Sequence, residues 1–179
     1  MRQLVVGVGE GEVSRDPDTV IVTYALGSCV AVTMHDPIAR VAGMVHFMLP
    51  ESSMAGEKSS HRPWIFADTG ISSLLRAALE QGADKRRLII VTAGGAQLMN
   101  DAGMFDIGKR NCLAVRKALS NCGLVAHAEE TGGTVARTLR IEVATGRVWL
   151  HVPGEEIRQM NPRPSLVPCR PIKETNDAA

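Results

Sequence analysis

Among the reactive side chains of this sequence, Cys29 holds the most informative position. It closes the segment Thr23-Tyr24-Ala25-Leu26-Gly27-Ser28-Cys29 and stands where a Gly-Ser turn meets a strand-like run over residues 29–35. Glycine at 27 admits backbone conformations that a branched residue resists, so consecutive N–H groups near Ser28 and Cys29 can converge on an anion. Gly27 and Ser28 are therefore candidate oxyanion or substrate contacts. A cysteine at the start of an apolar strand is also an ordinary small core residue, so a nucleophile needs a second group to support it. With a free pKa of about 8.5, a thiol is only slightly ionised at neutral pH, and a neighbouring imidazolium corrects this.

His46 is the candidate for that group. The segment Asp36-Pro37-Ile38-Ala39 reads as a tight turn joining residues 29–35 to residues 41–49. A symmetric turn centred between Pro37 and Ile38 sets Cys29 directly opposite His46, with Cβ atoms about 4.5–5.5 Å apart. A thiolate–imidazolium pair is the expectation, provided that no bulge slips the register by one residue and sends His46 to the other face.

The remaining candidates read as structural. His35 falls at the hairpin turn, His61 in a polar loop, and His127 and His151 on later strands. His35, His46 and His61 do not recur at metal-ligand spacings, so neither a metal nor a cofactor is expected. Gly7-x-Gly9-x-Gly11 is not followed by a helical pattern and reads as a turn or a close backbone approach, not a dinucleotide fingerprint. Cys112 and Cys122 recur with Val115 and Leu119 at helical spacing and read as small core residues.

Several elements must position these groups. Strand-like runs cover residues 4–8 and 19–25, separated by Ser14-Arg15-Asp16-Pro17-Asp18. Residues 51–63 form a polar, Ser-rich loop of the kind that serves as a lid or binding loop. Ile71, Leu74, Leu75, Ala78 and Leu79 make one helical stripe, with Asp68 or Thr69 as its cap and Gly82 as its stop. Residues 87–92 read as a buried strand, and a second helix lies between Gly108 and Gly123. Three more strands cover residues 124–129, 138–144 and 147–152, the last two joined at Thr145-Gly146. The pattern predicts an α/β or α+β fold, a layered sandwich of mixed sheet and helices in one domain over residues 1–160. Residues 161–179, punctuated by Pro162, Pro164, Pro168 and Pro171, are expected to be an extended or disordered tail.

Composition narrows the function classes. The 179 residues are 45% hydrophobic and 22% charged, which describes one globular domain. Twenty basic against 19 acidic side chains give a formal charge of +1, with no block of either sign, so nucleic acid is not an expected partner. Cys29, Cys112, Cys122 and Cys169 contain no Cys-x-x-Cys pair, and the N-terminal run is broken by Gly7 and Gly9. No zinc ribbon, signal peptide or membrane insertion is expected, and the setting reads as reducing and cytoplasmic.

Several segments together resemble the chemoreceptor glutamine deamidases named CheD. They are TYALGSCVAVTMHDP at residues 23–37, GMVHFMLP at 43–50, FADTGISSLL at 66–75, GGAQLM at 94–99, IGKRN at 107–111 and TGGTVAR at 131–137. The resemblance implies a Cys–His–Thr triad falling on Cys29, His46 and Thr23, the threonine hydroxyl accepting from the imidazole. It implies a three-layer α/β/α-like sandwich, the cytoplasmic helices of methyl-accepting chemoreceptors as substrate, and a CheC-type phosphatase as a second partner. Ala136 and Ala93 depart from the family pattern, and Ala93 bears on the phosphatase contact. The expected activity is conversion of receptor glutamines to glutamate through a cysteine thioester. A non-catalytic adaptor that binds receptors or the phosphatase, and a generic cysteine hydrolase, are the rival readings.

Overall fold

The computed structural model describes residues 1–54, 62–97 and 106–160. His61, Cys169, the middle of the polar loop and the tail of residues 161–179 lie outside them. In chain order the strands are β1 (Arg2–Val5), β2 (Glu10–Ser14), β3 (Thr19–Leu26), β4 (Val30–Asp36) and β5 (Val41–Phe47), followed by helix α1 (Ala67–Glu80). Then come β6 (Ile89–Gly94), helix α2 (Ile107–Asn121), β7 (Ala128–Thr131), β8 (Arg137–Glu142), β9 (Val148–His151) and β10 (Arg158–Met160). They form two mixed sheets, ordered β1-β3-β8-β9-β10 and β2-β5-β4-β6-β7. The fold is α+β in a single domain.

The layering follows from β4 and β5, every residue of which is buried. Strand side chains alternate between faces, so a run buried throughout must be covered on both sides. Val30, Val32, Met34, Val45 and Phe47 pack against Ala67, Ile71 and Leu74 of α1 and Ala114, Val115 and Leu119 of α2. Ala31, Ala42 and Met44 face the other sheet and meet Ile21, Leu139, Ile141 and Leu150. The layer order is thus helices, sheet, sheet. It differs from the α/β/α-like sandwich implied by the resemblance, because both helices cover the same face and the second face is closed by strands.

The β4–β5 turn also differs from expectation. Asp36 pairs with Val41 and Ala31 pairs with His46, so the turn is centred between Ile38 and Ala39 and Cys29 is not directly opposite His46. The cause is the loop's chemistry. Asp36 Oδ1 accepts from the N–H groups of Ile38 at 2.9 Å and Ala39 at 3.1 Å, and Arg40 closes the loop at a φ of 51°. This is a four-residue hairpin loop ending in a left-handed residue, not a two-residue turn. The slip is of two residues, the strand's own period, so His46 keeps the face first expected of it.

Other boundaries shift for local reasons. Helix α1 begins at Ala67 without a side-chain cap, because the Asp68 carboxylate accepts from Ser52 N–H and from its hydroxyl at 2.7 Å. The glycine-rich start is indeed a close approach, since any Cβ on Gly11 would enter the Trp64 ring, but it also leads into β2, which lines the edge of β5. Short β10 pairs with β9.

Asp36 ties the hairpin to the α1–β6 connection. Its buried carboxylate accepts from the Arg87 guanidinium at 2.7 Å and 3.1 Å and from Asp84 N–H at 2.7 Å. Burial alone would raise its pKa, but the Arg87 fork and three backbone N–H groups hold it well below the usual carboxylate range. Asp36→Ala leaves those donors unmatched, and urea unfolding should show a loss of about 2–4 kcal/mol. A variant as stable as the parent would show that this network does not hold the turn.

Candidate active site

Two sheets meet where Thr23 of β3 faces His46 of β5, both buried. Thr23 Oγ1 lies 2.7 Å from His46 Nδ1 and also donates to the Val6 carbonyl at 2.7 Å. A hydroxyl has one proton, and it is committed to Val6, so the contact to the ring requires Nδ1 to carry its own hydrogen. The imidazole is therefore protonated at Nδ1 and unprotonated at Nε2. His46 Nε2 is buried and has no hydrogen-bond partner among the described residues.

The segment between Thr23 and Cys29 is irregular. Three steps along β3 from Thr23 to Leu26 match two along β8, a bulge that lets both residues face inward. Ala25 sits at a φ of 55°, a left-handed conformation that costs a non-glycine residue about 1–2 kcal/mol. The Gly27 N–H is satisfied by the Ala25 carbonyl at 2.8 Å, so it is not a free oxyanion donor here.

Carbonyls of the next three residues are all tied down on one side. Gly27 O accepts from Ala96 N at 2.7 Å, Ser28 O from Asn111 Nδ2 at 2.9 Å, and Cys29 O from Gly95 N at 2.7 Å. In a trans peptide the N–H points opposite to the preceding C=O, so the Ser28 and Cys29 N–H groups are turned away from those partners. Neither has a backbone acceptor among the described residues. Gly94, at a φ of 115°, makes the close approach possible, because a Cβ there would strike the Cys29 carbonyl.

Cys29 itself is partly exposed and immediately precedes β4. Since Ala31 pairs with His46, Cys29 lies two residues along the same pleat parity, diagonal to the histidine. Its thiol makes no hydrogen bond to the ring, whose Nε2 is bare. Burial pushes the Cys29 thiol up from its ordinary pKa, only partly offset by its own N–H. Burial likewise pulls His46 down to about 4, with the Glu10 carboxylate acting weakly the other way. Burial therefore favours the neutral thiol and the neutral imidazole, whereas the sequence led to the expectation of a thiolate–imidazolium pair.

The other singled-out residues separate cleanly from this cluster. His35 is buried with Nε2 3.3 Å from Val143 O, and His127 Nδ1 accepts from Ile90 N–H at 3.1 Å. Cys112 and Cys122 are half-buried, Cys122 packing against the core at the C-terminal end of α2 and Cys112 lying against Gly95. Ala93 is fully buried between the sheets opposite Ala31, so it presents nothing to a partner. Two contributors were not anticipated. Arg137 donates to Gly94 O at 3.1 Å and to Gly132 O at 2.6 Å, binding the loop after β7 to the glycine pair. Asn111 joins Ser28 O to Met48 O, which it reaches at 3.0 Å. Its signal was present: a polar residue on the buried stripe of α2 that includes Gly108, Ala114, Val115 and Ala118.

A family profile described as CheD chemotactic sensory transduction matches residues 48–152. A probable chemoreceptor glutamine deamidase CheD of Solibacter usitatus is 43% identical over 176 residues, covering 98% of this chain and 100% of the relative. The probable chemoreceptor glutamine deamidase CheD 1 of Syntrophus aciditrophicus is 38% identical over 160 residues, 89% of this chain and 100% of the relative. The chemoreceptor glutamine deamidase CheD of Thermotoga maritima is 42% identical over 150 residues, 84% of this chain and 92% of the relative.

The site's electrostatics can be tested without substrate. NMR of the imidazole nitrogens should show His46 neutral and Nδ1-protonated until pH approaches about 4. An unfolded histidine takes up its proton near pH 6.5, so between about 6.5 and 4 the unfolded chain binds more protons than the folded one. Stability from this group is therefore present above that window and lost as pH falls through it. A His46 titration near 6.5 would contradict the neutral pair.

Proposed function

The chain belongs to the CheD family, and we propose that it hydrolyses the side-chain amides of specific chemoreceptor glutamines to glutamate, with Cys29 as nucleophile, His46 as proton carrier and Thr23 as the residue that orients the ring. The observation that carries this reading is the relay from His46 Nδ1–H to Thr23 and on to the Val6 carbonyl, which leaves Nε2 without a partner among the described residues, with Cys29 two residues before Ala31, the strand partner of His46.

The steps follow from the protonation states. As Cys29 Sγ attacks the glutamine Cδ, its proton passes to His46 Nε2 and the amide oxygen takes the negative charge. The Ser28 and Cys29 N–H groups are the donors available to that oxyanion. On collapse, the C–N bond breaks and Nε2–H gives its proton to the departing ammonia, leaving a thioester and a neutral ring. Water then attacks the thioester and gives a proton to Nε2. The C–S bond breaks and the thiolate recovers that proton. Thr23 keeps Nδ1 protonated throughout, so Nε2 is always the exchanging atom. The relay holds no carboxylate, so apart from the weak pull of Glu10 ring charging during the reaction is supported by dipoles, consistent with a short-lived imidazolium. Each conversion adds one negative charge to the receptor helix, the means by which the modification biases signalling.

Among the described residues no helix is long and apolar enough to cross a membrane. The cytoplasm is the compartment this reading requires, because the receptor helices serving as substrate lie there. A CheC-type phosphatase is the second partner proposed, on the family resemblance.

The test is mass spectrometry of a glutamine-bearing receptor cytoplasmic fragment incubated with each variant. Wild-type protein should produce the mass gain of amide-to-acid conversion with ammonia release and no chain cleavage. Cys29→Ala should abolish it. His46→Ala should lower kcat by about 10²–10⁴-fold, the usual worth of a general acid–base group. Thr23→Val should cost about 10-fold, one hydrogen bond's worth. Full turnover by Cys29→Ala would end the mechanism, and binding without conversion by the wild type would favour an adaptor.

A further inference from the structure

We propose that Asn111 is a positioning residue for this reaction, setting the distance between the nucleophile's turn and the end of the strand that carries the base. The proposal rests on the reading of Cys29 and His46 as the reacting pair. Asn111 projects from α2, is fully buried, and spends both protons of one amide nitrogen on two carbonyls. One belongs to Ser28, the residue before Cys29. The other belongs to Met48, two residues after His46. Both partners are acceptors, so the orientation of the amide is fixed by its bonds.

The placement matters because the β4–β5 ladder stops there. Val30 paired with Phe47 is its last rung, and Met48 N–H turns away to the Ile65 carbonyl. Beyond that rung Ser28, which precedes Cys29, and Met48, which follows the strand holding His46, are joined through the Asn111 amide, a crosslink supplied by a third element. The cost is visible on the same side chain, since Asn111 Oδ1 is buried without a partner among the described residues. A leucine on this apolar stripe would remove the orphaned Oδ1 but would leave the Ser28 and Met48 carbonyls without their donor. A buried amide retained at that cost holds geometry. Arms that drift by about 1 Å lose about 10²-fold in rate, through the chemical step and not through binding.

Asn111→Asp separates positioning from packing. A carboxylate at 111 would face two carbonyl oxygens in a buried site, whereas its neutral acid can donate to one of them, so the repair depends on pH. The full chain is assayed for glutamine conversion on a receptor fragment from pH 5.5 to 8.5, below each variant's measured Tm. Asn111→Leu should lose about 10²-fold in kcat with KM little changed. Asn111→Asp should be equally poor at pH 8.5 and regain at least 5-fold relative to wild type as the pH falls. Asn111→Asp is isosteric with the native residue and carries the test should Asn111→Leu not fold. A variant-to-wild-type ratio that is constant with pH, or a loss confined to KM or to the folded fraction, would overturn the proposal. Activity retained by Cys29→Ala in the same assay would instead remove the reading beneath it.

Discussion

The structure turns on one hydrogen bond that crosses from sheet to sheet, from His46 Nδ1 to Thr23 Oγ1. It joins β5, one strand in from the edge of its sheet, to β3, one strand in from the edge of the other, inside a core where an unmatched polar group costs free energy. The Val6 carbonyl completes it by taking the threonine proton, and that commitment decides the ring's tautomer. A carboxylate in Thr23's place would hold a charged ring more tightly, but it would itself need partners in an apolar layer. The neutral relay suits a histidine that burial keeps uncharged.

Local costs gather around that bond. Ala25 is held in a left-handed conformation, β3 is bulged beside it, and His46 Nε2 and Asn111 Oδ1 are both buried without partners among the described residues. Such costs are not confined to the site, since Thr92 Oγ1 is also buried without a partner among the described residues and Arg40 is left-handed in the β4–β5 turn, where Asp36 is closely satisfied by Arg87, Asp84 and the turn N–H groups. Strain and unsatisfied polarity persist where the surrounding structure overdetermines them, and here they coincide with the segment that presents the thiol. The buried β4–β5 hairpin, covered by helices on one face and strands on the other, supplies that overdetermination.

Much of this was legible in residue types and spacing. Cys29 at a Gly-Ser junction, the hairpin of β4 and β5, and the amphipathic stripe of α1 all follow from local pattern. The parity of β4 against His46 is unchanged by the shifted turn centre, because the slip equalled the strand period. The turn centre itself was not legible, since it depends on Asp36 bonding across its own loop and on Arg87, distant in sequence. Short edge strands such as β2 and β10 carry too little alternation to stand out, and their pairing with β5 and β9 is a tertiary fact. Asn111 was overlooked because its meaning lies in two carbonyls, and a backbone carbonyl has no signature in sequence. The layer order escaped for a similar reason: which face of a sheet a helix covers is set by the whole topology.

The central claim is that Cys29 becomes covalently joined to the substrate's glutaminyl carbon while His46 Nε2 carries the proton. Acid quenching of wild-type protein during turnover on a receptor fragment, followed by peptide mass analysis, tests it most directly. The account predicts an adduct on the Cys29 peptide with the mass of substrate less ammonia, released by hydroxylamine as a glutamyl hydroxamate. Turnover that proceeds with no adduct at Cys29 and no hydroxamate would contradict it.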